Sequence, residues 1–360
     1  MADVRFSGAT RMLPGVARPT VDGVDLHVRA GELLVLAGAP GSGKSTLLRM
    51  LCGLEPLDAG QVTIGGKHPN DLPPDRQWVS FVFEGFELLP NLSLFENIAL
   101  PLLLRRTPQR VVHAAVARAV DACSLNAPLS LHPEEVPFET RLRTILARAV
   151  VRQPSVVCLD EPLIGPDALG GPDGTAVIRE TQRALGVTMI YATCRSADAL
   201  ALADRVAVLA DGRLQQVGRP RTLFDHPGTV AVARFAGPAL ANLVRARVAN
   251  GSAWLDSYPI ALTPRQIAAL SGDQVLVGLN PARLLLVPSS PGIRATVVGV
   301  SSAGRFHAVC AVALLNSTTV SLKVDRVSGA PPAVGDRILI SASPGDCNLY
   351  DPATGRRLPC

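Results

Sequence analysis

The stretch Leu33-Leu34-Val35-Leu36-Ala37-Gly38-Ala39-Pro40-Gly41-Ser42-Gly43-Lys44-Ser45-Thr46 decides the fold. Leu33–Ala37 is an apolar run that reads as a buried strand, and Ser45 to Cys52 carries apolar residues at helical spacing. Between them, Gly38 to Thr46 fits the pattern GxxxxGK[ST]. A strand that turns through glycines into a helix aims backbone N–H groups and a helix N-terminus at one point, which is a receptor for phosphate. Lysine is scarce: of 35 lysines and arginines, only Lys44, Lys67 and Lys323 are lysine, and one of them stands where the pattern needs an ammonium. Gly38, Ala39, Pro40, Gly41, Ser42, Gly43, Lys44, Ser45 and Thr46 are therefore expected to hold a nucleoside triphosphate. The surrounding domain is expected to be an α/β P-loop fold.

A second motif supports the first. Val156-Val157-Cys158-Leu159-Asp160 is a buried-strand pattern ending in a carboxylate, the Walker B arrangement that holds Mg²⁺. Glu161 follows and is placed to orient or deprotonate an attacking water. In this reading Lys44 neutralises β/γ-phosphate charge, while Ser45 and Asp160 ligate the metal. The cofactors implied are ATP and Mg²⁺.

The bulk properties narrow the remaining classes. A chain of 360 residues is long enough for two or three domains, and 48% apolar with 18% charged residues argues against pervasive disorder. The net charge of +5 is scattered, with no arginine-rich run or basic stripe interleaved with aromatics, so no nucleic-acid partner is expected. The seven cysteines lack CxxC spacing, and Cys52, Cys123 and Cys158 fall in apolar or helical contexts, as reduced cytosolic cysteines do. The N-terminus lacks a signal-peptide core and no run of eighteen apolar residues occurs, so membrane association is expected only through a partner.

Residues 1–235 alternate strand-like and helix-like segments. Strands are expected at Leu33–Ala37, Gln61–Ile64, Trp78–Phe83, Ser155–Leu159, Met189–Thr193, Arg205–Leu209 and Leu214–Val217. Between about 86 and 151 the strand signal fades, and Val111–Cys123 and Arg141–Val151 show helical spacing, which marks a helical insert. Asp211-Gly212 between two apolar runs is a hairpin signal. Beyond residue 236 the texture changes to short alternating runs: Arg245–Val248, Gln274–Leu279, Arg294–Val300, His307–Val312, Thr318–Val324 and Arg337–Ser341. With one helical piece near Pro264–Leu270, they imply a small β-barrel or barrel pair over 236–360.

With these motifs in place, the chain resembles the ATP-binding subunits of ABC transporters, in the carbohydrate (maltose/glycerol-phosphate-type) importer branch. The resemblance runs almost end to end. It is carried by Gly53-Leu54-Glu55-Pro56 with Gly60, and by Leu88-Leu89-Pro90-Asn91-Leu92-Ser93 followed by Glu96-Asn97-Ile98. Leu159-Asp160-Glu161-Pro162-Leu163 with Asp167 is similar to Walker B plus the D-loop. Ala203-Asp204-Arg205-Val206 and Asp211 to Gly218 are similar to the closing strands, and Asn348-Leu349-Tyr350-Asp351 with Thr354-Gly355 resembles the end of the C-terminal regulatory domain. The resemblance implies an ABC ATPase core with a helical subdomain, then an all-β oligonucleotide-fold-like (TOBE-type) domain. It implies a peripheral subunit on the cytoplasmic face of the membrane, gripping permease subunits through about 86–104. A second ATP-binding subunit, identical or related, would complete an ATP sandwich, and an extracytoplasmic sugar-binding protein would act indirectly. The transported sugar is not written in this chain.

The departures from the family pattern concern catalysis. Family members carry glutamine after the Phe-Val-Phe strand, whereas Phe81-Val82-Phe83 runs into Glu84. The LSGGQ signature falls on Val136-Pro137-Phe138-Glu139-Thr140, the switch histidine is Cys194, and the adenine-stacking aromatic expected near Leu13–Gly15 is missing. Pro137 has no N–H to give and Phe138 adds bulk where close backbone approach is needed. Each lost hydrogen bond to a charged group costs about 1.5–3 kcal/mol. Glu139 would repel phosphate by about 4 kcal/mol per charge pair at about 4 Å and an effective dielectric of about 20. Cys194 is short and a weak donor. MgATP binding is expected to survive, with sandwich closure and hydrolysis impaired. Two readings stay open: a transport ATPase of reduced activity, or a nucleotide-binding regulatory subunit that barely hydrolyses ATP. A soluble P-loop kinase or GTPase leaves the C-terminal resemblance unexplained.

Overall fold

The computed structural model describes residues 2–69, 79–85, 88–163, 172–236, 242–280, 283–288, 292–303, 306–313, 319–325, 332–343, 345 and 347–359. Its contacts divide the chain into two compact units, residues 1–220 and 221–360. Asp167, Trp78 and Thr318, named above, lie outside the described residues, as does position 86.

In the first unit, β1 (Val4–Arg11), β2 (Val21–Val28), β3 (Leu33–Ala37), α1 (Lys44–Leu51), β4 (Ala59–Ile64) and β5 (Val79–Val82) come first. Three helices follow: α2 (Leu94–Leu103), α3 (Gln109–Ala122) and α4 (Phe138–Val150). β6 (Val156–Asp160), α5 (Pro172–Leu185), β7 (Thr188–Thr193), α6 (Ser196–Leu202), β8 (Arg205–Ala210) and β9 (Arg213–Gly218) complete the unit. The main sheet has the order β5-β6-β7-β3-β8-β9, parallel from β5 to β8. Strands β3, β6 and β7 are buried at every position, which is why they read as largely apolar runs rather than alternating ones. β9 returns antiparallel through Asp211-Gly212, both at positive φ (+50° and +74°), as the hairpin signal requires.

The antiparallel sheet β2-β1-β4 shares its core with the main sheet through Val4, Phe6, Val24, Leu26, Val62 and Ile64. β1 and β2 were not foreseen because their period breaks. The β1–β2 register shifts between Phe6 and Ala9 and again before Arg11, so the buried residues fall out of strict alternation.

In the helical region, Ser93 and Glu96 form a reciprocal capping box that starts α2. α4 begins at Phe138, ahead of the expected Arg141, with Pro137 as its N-cap. Asn97 is fully buried: its amide donates to the carbonyls of Leu89, Leu92 and Ser93, each at 3.0 Å, and its oxygen accepts from Leu89 N–H at 2.8 Å. The loop before α2 is thereby folded inward. Leu88, within the segment expected to grip permease subunits, is 6% exposed and packs with Leu94 and Val136. Of that segment, Leu89, Leu103 and Leu104 face solvent.

The second unit contains α7 (Pro220–Asp225, whose first residue closes the first unit) and α8 (Val230–Phe235). Next come β10 (Asn242–Ala249), β11 (Ser252–Leu255), β12 (Tyr258–Ala261), α9 (Pro264–Ala268), β13 (Gln274–Leu279) and β14 (Leu285–Val287). β15 (Ile293–Ala303), β16 (Phe306–Ala313), β17 (Thr319–Asp325), β18 (Arg337–Ser341) and β19 (Cys347–Tyr350) complete it. They form two five-stranded antiparallel sheets, β12-β11-β10-β13-β19 and β14-β18-β15-β16-β17, over one core that includes Val244, Val277, Ile293 and Ile340. The strands beyond the six expected, β11, β12, β14 and β19, have three or four residues each, too short to establish a period. The segment before β10 belongs with this unit: Val230 N–H donates to Gly355 O at 2.9 Å, and Arg357 N–H to Gly228 O at 3.0 Å.

Asp351 locks the turn after β19. It accepts from Thr354 Oγ1 at 2.7 Å and N–H at 3.0 Å, and from Ser271 Oγ at 3.0 Å and N–H at 3.2 Å. The Thr354 hydroxyl, then the Ser271 groups, hold its carboxyl down from the usual 3.8 to about 2. A carboxyl that is more acidic folded than unfolded stabilises above the unfolded value and loses that contribution as pH falls through the folded one. In scanning calorimetry, the midpoint gap between wild type and Asp351→Asn should be widest above about pH 5 and shrink as pH falls from 3.8 toward about 2.

Candidate functional site

The site is built at the carboxyl ends of three adjacent parallel strands, β6, β7 and β3. β3 delivers Gly38, and α1 starts at Lys44 behind an N-cap, Gly43, at φ +101°. A Cβ at Gly43 would collide with the Thr20 carbonyl, so only glycine closes this turn. α1 carries no acidic residue in its first turn, which leaves the positive end of its dipole unneutralised.

Lys44 is 4% exposed, and its Nζ donates to the Gly38 and Ala39 carbonyls at 3.0 and 3.1 Å. Glu161 Oε1 lies 3.5 Å from the same ammonium. Ser42 is 5% exposed and its Oγ has no hydrogen-bond partner. A hydroxyl buried without a partner is costly, and here it sits inside the loop that the sequence assigns to phosphate. That orphaned hydroxyl, the free helix dipole and the loop ammonium fit an anionic ligand.

The metal donors stand beside the loop. Ser45 Oγ donates to Asp160 Oδ1 at 3.0 Å. Burial raises the Asp160 carboxyl above its usual 3.8; the Ser45 bond opposes this, the Glu161 and Glu84 charges add to it, and Arg49 opposes it. A hydroxyl and a carboxylate are hard oxygen donors, and Mg²⁺ is commonly held by one or two carboxylates together with substrate phosphates. Among the described residues no group of three or more His, Cys, Asp or Glu side chains is arranged to hold a metal by protein alone. The donor set therefore suits a cation that arrives with the nucleotide.

Glu161 has a left-handed backbone, φ +47°, and its N–H donates to Ala192 O at 3.1 Å. Cys194 closes the group: burial, followed by the neighbouring Glu161 carboxylate, pushes its thiol above the ordinary value, against the pull of Lys44. Thus Gly38–Thr46, Glu84, Asp160, Glu161 and Cys194 gather at one place. Pro137, Phe138 and Glu139 do not join them; they form the start of α4. Glu139 Oε1 accepts from Arg143 Nε at 3.0 Å, and Arg143 also reaches Glu180 at 2.9 Å. The negative charge at the signature position is therefore already paired, which weakens the expected repulsion. Arg49 and Asp198 were not singled out in the sequence. Arg49 is an ordinary basic residue near the end of a helix, and Asp198 lies in the short α6; nothing local marks either.

Comparison with known proteins agrees with this architecture. The "ABC transporter" family model matches residues 21–164. The chain is 33% identical to the diacetylchitobiose uptake system ATP-binding protein MsiK of Streptomyces coelicolor, over 99% of this chain and 100% of that protein. It is 31% identical to the sn-glycerol-3-phosphate import ATP-binding protein UgpC of Bordetella avium, over 99% of each. Two solved structures share the fold. The dimeric ATP-binding cassette MJ0796 bound to ADP and phosphate has a TM-score of 0.51 and 24% identity, over 61% of this chain and 99% of its own. CbiO1 of Clostridium perfringens has a TM-score of 0.55 and 22% identity, over 62% and 90%.

Lys44→Ala should weaken binding of a fluorescent ATP analogue with Mg²⁺ at least about tenfold, or about 1.4 kcal/mol, because it removes the ammonium of the loop. Superimposable titration curves for wild type and variant would remove the assignment of this loop.

Proposed function

The chain belongs to the ABC transporter family as an ATP-binding subunit, and on that premise we propose that it holds MgATP in Gly38–Thr46 and energises carbohydrate import with slow hydrolysis. The observation that carries this reading is the convergence of Lys44, Ser45, Asp160 and Glu161 at one strand edge, with distances of 3.0 Å (Ser45–Asp160) and 3.5 Å (Lys44–Glu161).

Lys44 would turn from the loop carbonyls to the β- and γ-phosphates, and Ser42 Oγ would gain the partner it lacks. Ser45 and Asp160 would hold Mg²⁺, which supplies charge neutralisation on the phosphates. Glu161 would orient the attacking water and take its proton. Its backbone conformation, uncommon for a residue other than glycine, is held by the Ala192 hydrogen bond and fixes where the carboxylate emerges.

The slow rate follows from the far half of the sandwich. A second ATP-binding subunit, identical or related, would present the start of its α4 to the γ-phosphate. Pro137 offers no N–H there, and Phe138 is a bulky first residue. Pro137, Phe138 and Cys194 also favour the second reading, a regulatory subunit that binds ATP without turning it over.

Among the described residues no helix is long and apolar enough to cross a membrane. The proposed place is the cytoplasmic face of the membrane, against permease subunits, with an extracytoplasmic sugar-binding protein acting on their far side. A cavity of about 330 Å³ between β5, α2 and α4, lined by Phe81, Leu100, Pro101, Leu104, Ile145 and Arg148, supports docking of a permease segment at 86–104. Leu104, 77% exposed at its rim, gives that segment an apolar contact.

Phosphate release by the full chain should be slow and should rise when the missing groups return. Pro137→Ser, Phe138→Gly and Glu139→Gly together with Cys194→His should raise turnover more than either set alone, since both sets would serve the same γ-phosphate. Glu161→Gln is the blank. Fast wild-type release that the substitutions leave unchanged would contradict the impaired-ATPase reading.

A further inference from the structure

The outer face of the sheet β12-β11-β10-β13-β19 is covered at its β19 end, where Tyr350 OH donates to Pro227 O at 3.3 Å. At the opposite end the strand register builds an exposed row. Asn250-Gly251, at φ +54° and +75°, is the two-residue turn of the β10–β11 hairpin, closed by the pair Ala249 and Ser252. Counting back from that turn sets Arg247 opposite Trp254. Trp254 in turn pairs with Pro259 on β12, and Arg247 with Gln274 on β13. All four are exposed, whereas their strand neighbours Ala246, Ala253, Leu255, Ile260 and Val275 are buried in the core. Alternation therefore lines up Gln274, Arg247, Trp254 and Pro259 on the solvent side. Arg245, two residues before Arg247 and so on the same face, is exposed and donates to Gln274 Oε1 at 3.4 Å.

The indole is held in place before anything binds. Its Nε1–H donates to Ala249 O at 3.1 Å, while 36% of the residue stays in solvent. A pinned aromatic ring offers an apolar face with little side-chain entropy left to lose. One strand away, about 5 Å across the ladder, the Arg247 guanidinium offers a fork that suits phosphate. Gln274 carries both a donor and an acceptor, which neighbouring hydroxyls need. None of the register partners in the row is acidic, and Asp256, two residues after Trp254, is engaged by Arg294 through Nε and Nη2. An apolar ring face, hydroxyls and a phosphate on one small frame describe a sugar phosphate. We propose that this row binds a sugar phosphate, its ring on Trp254, its hydroxyls at Gln274 and its phosphate on Arg247 and Arg245. A nucleobase fits less well, because the one donor of the indole is already spent on Ala249 O. The site lies wholly in the second unit and involves no hydrolysis, so it stands apart from the function proposed above.

The full chain has two tryptophans, Trp78 and Trp254, so its heteronuclear magnetic resonance spectrum carries two indole N–H signals, and the one lost in Trp254→Phe belongs to Trp254. Titration with glucose 6-phosphate should move that signal and leave the Trp78 signal in place, with half-saturation at about 1 mM or below. Glucose alone and inorganic phosphate alone should each need at least about tenfold more, because each keeps only part of the contacts. Arg247→Ala should weaken the response to glucose 6-phosphate at least about tenfold, since it removes a charged hydrogen-bond donor. A Trp254 signal that glucose 6-phosphate leaves unmoved up to about 10 mM would overturn the site. Equal half-saturation by inorganic phosphate would mean attraction of an anion alone and would overturn it as well. Tighter binding of adenosine monophosphate would assign the row to nucleotides instead, and a response unchanged in Arg247→Ala would remove the phosphate contact on which the proposal depends.

Discussion

The first unit depends on keeping one ammonium, that of Lys44, charged inside the protein. A buried cation is tolerated only where oxygen atoms surround it, and here two carbonyls of its own loop and the Glu161 carboxylate supply them. Each supplier is set by a different part of the fold. The carbonyls of Gly38 and Ala39 point inward because the chain turns tightly between β3 and α1, which Gly43 permits. Glu161 arrives at the end of β6, two strands away in the sheet, with β7 between. Because β3, β6 and β7 run parallel, their carboxyl ends open on one side, where ligands of open α/β sheets bind. A phosphate in the loop would offer the ammonium oxygens in place of these.

The parts legible in the sequence are those whose chemistry is local. The phosphate loop is a contiguous nonapeptide, and β3, β6 and β7 announce themselves because full burial leaves them mostly apolar. The Asp211-Gly212 hairpin was readable because positive φ at both positions demands those residues. What escaped was set at a distance or by irregularity. β1 and β2 lose their period at register shifts. Leu88 lies in a segment expected to grip permease subunits, but Asn97, bonding the Leu89 and Leu92 backbone that follows it, folds this loop inward. Asp198 gains meaning only because β7 and α6 bring Tyr191, Thr193 and Arg195 to it.

The two halves of a composite ATP site are unequal in this chain. Its own phosphate loop and Walker B carboxylates are complete and mutually arranged. The half it would lend to a neighbour begins with Pro137 and Phe138 at the start of α4, and its one charge, Glu139, is held by Arg143. On the function proposed above, binding energy would be drawn from this chain's loop, and little from the partner's helix. Backbone contacts from the loop would grip mainly the α- and β-phosphates and Lys44 the β- and γ-phosphates, whereas the signature helix would add its share at the γ-phosphate.

Calorimetric titration of the full wild-type chain with MgATP and with MgADP tests that division most directly. If this chain's loop supplies nearly all the binding energy, one nucleotide binds per chain and the two affinities agree within about tenfold, or about 1.4 kcal/mol. MgATP binding that is a hundredfold or more tighter than MgADP would mean that strong γ-phosphate contacts form despite Pro137 and Phe138, and would contradict the account.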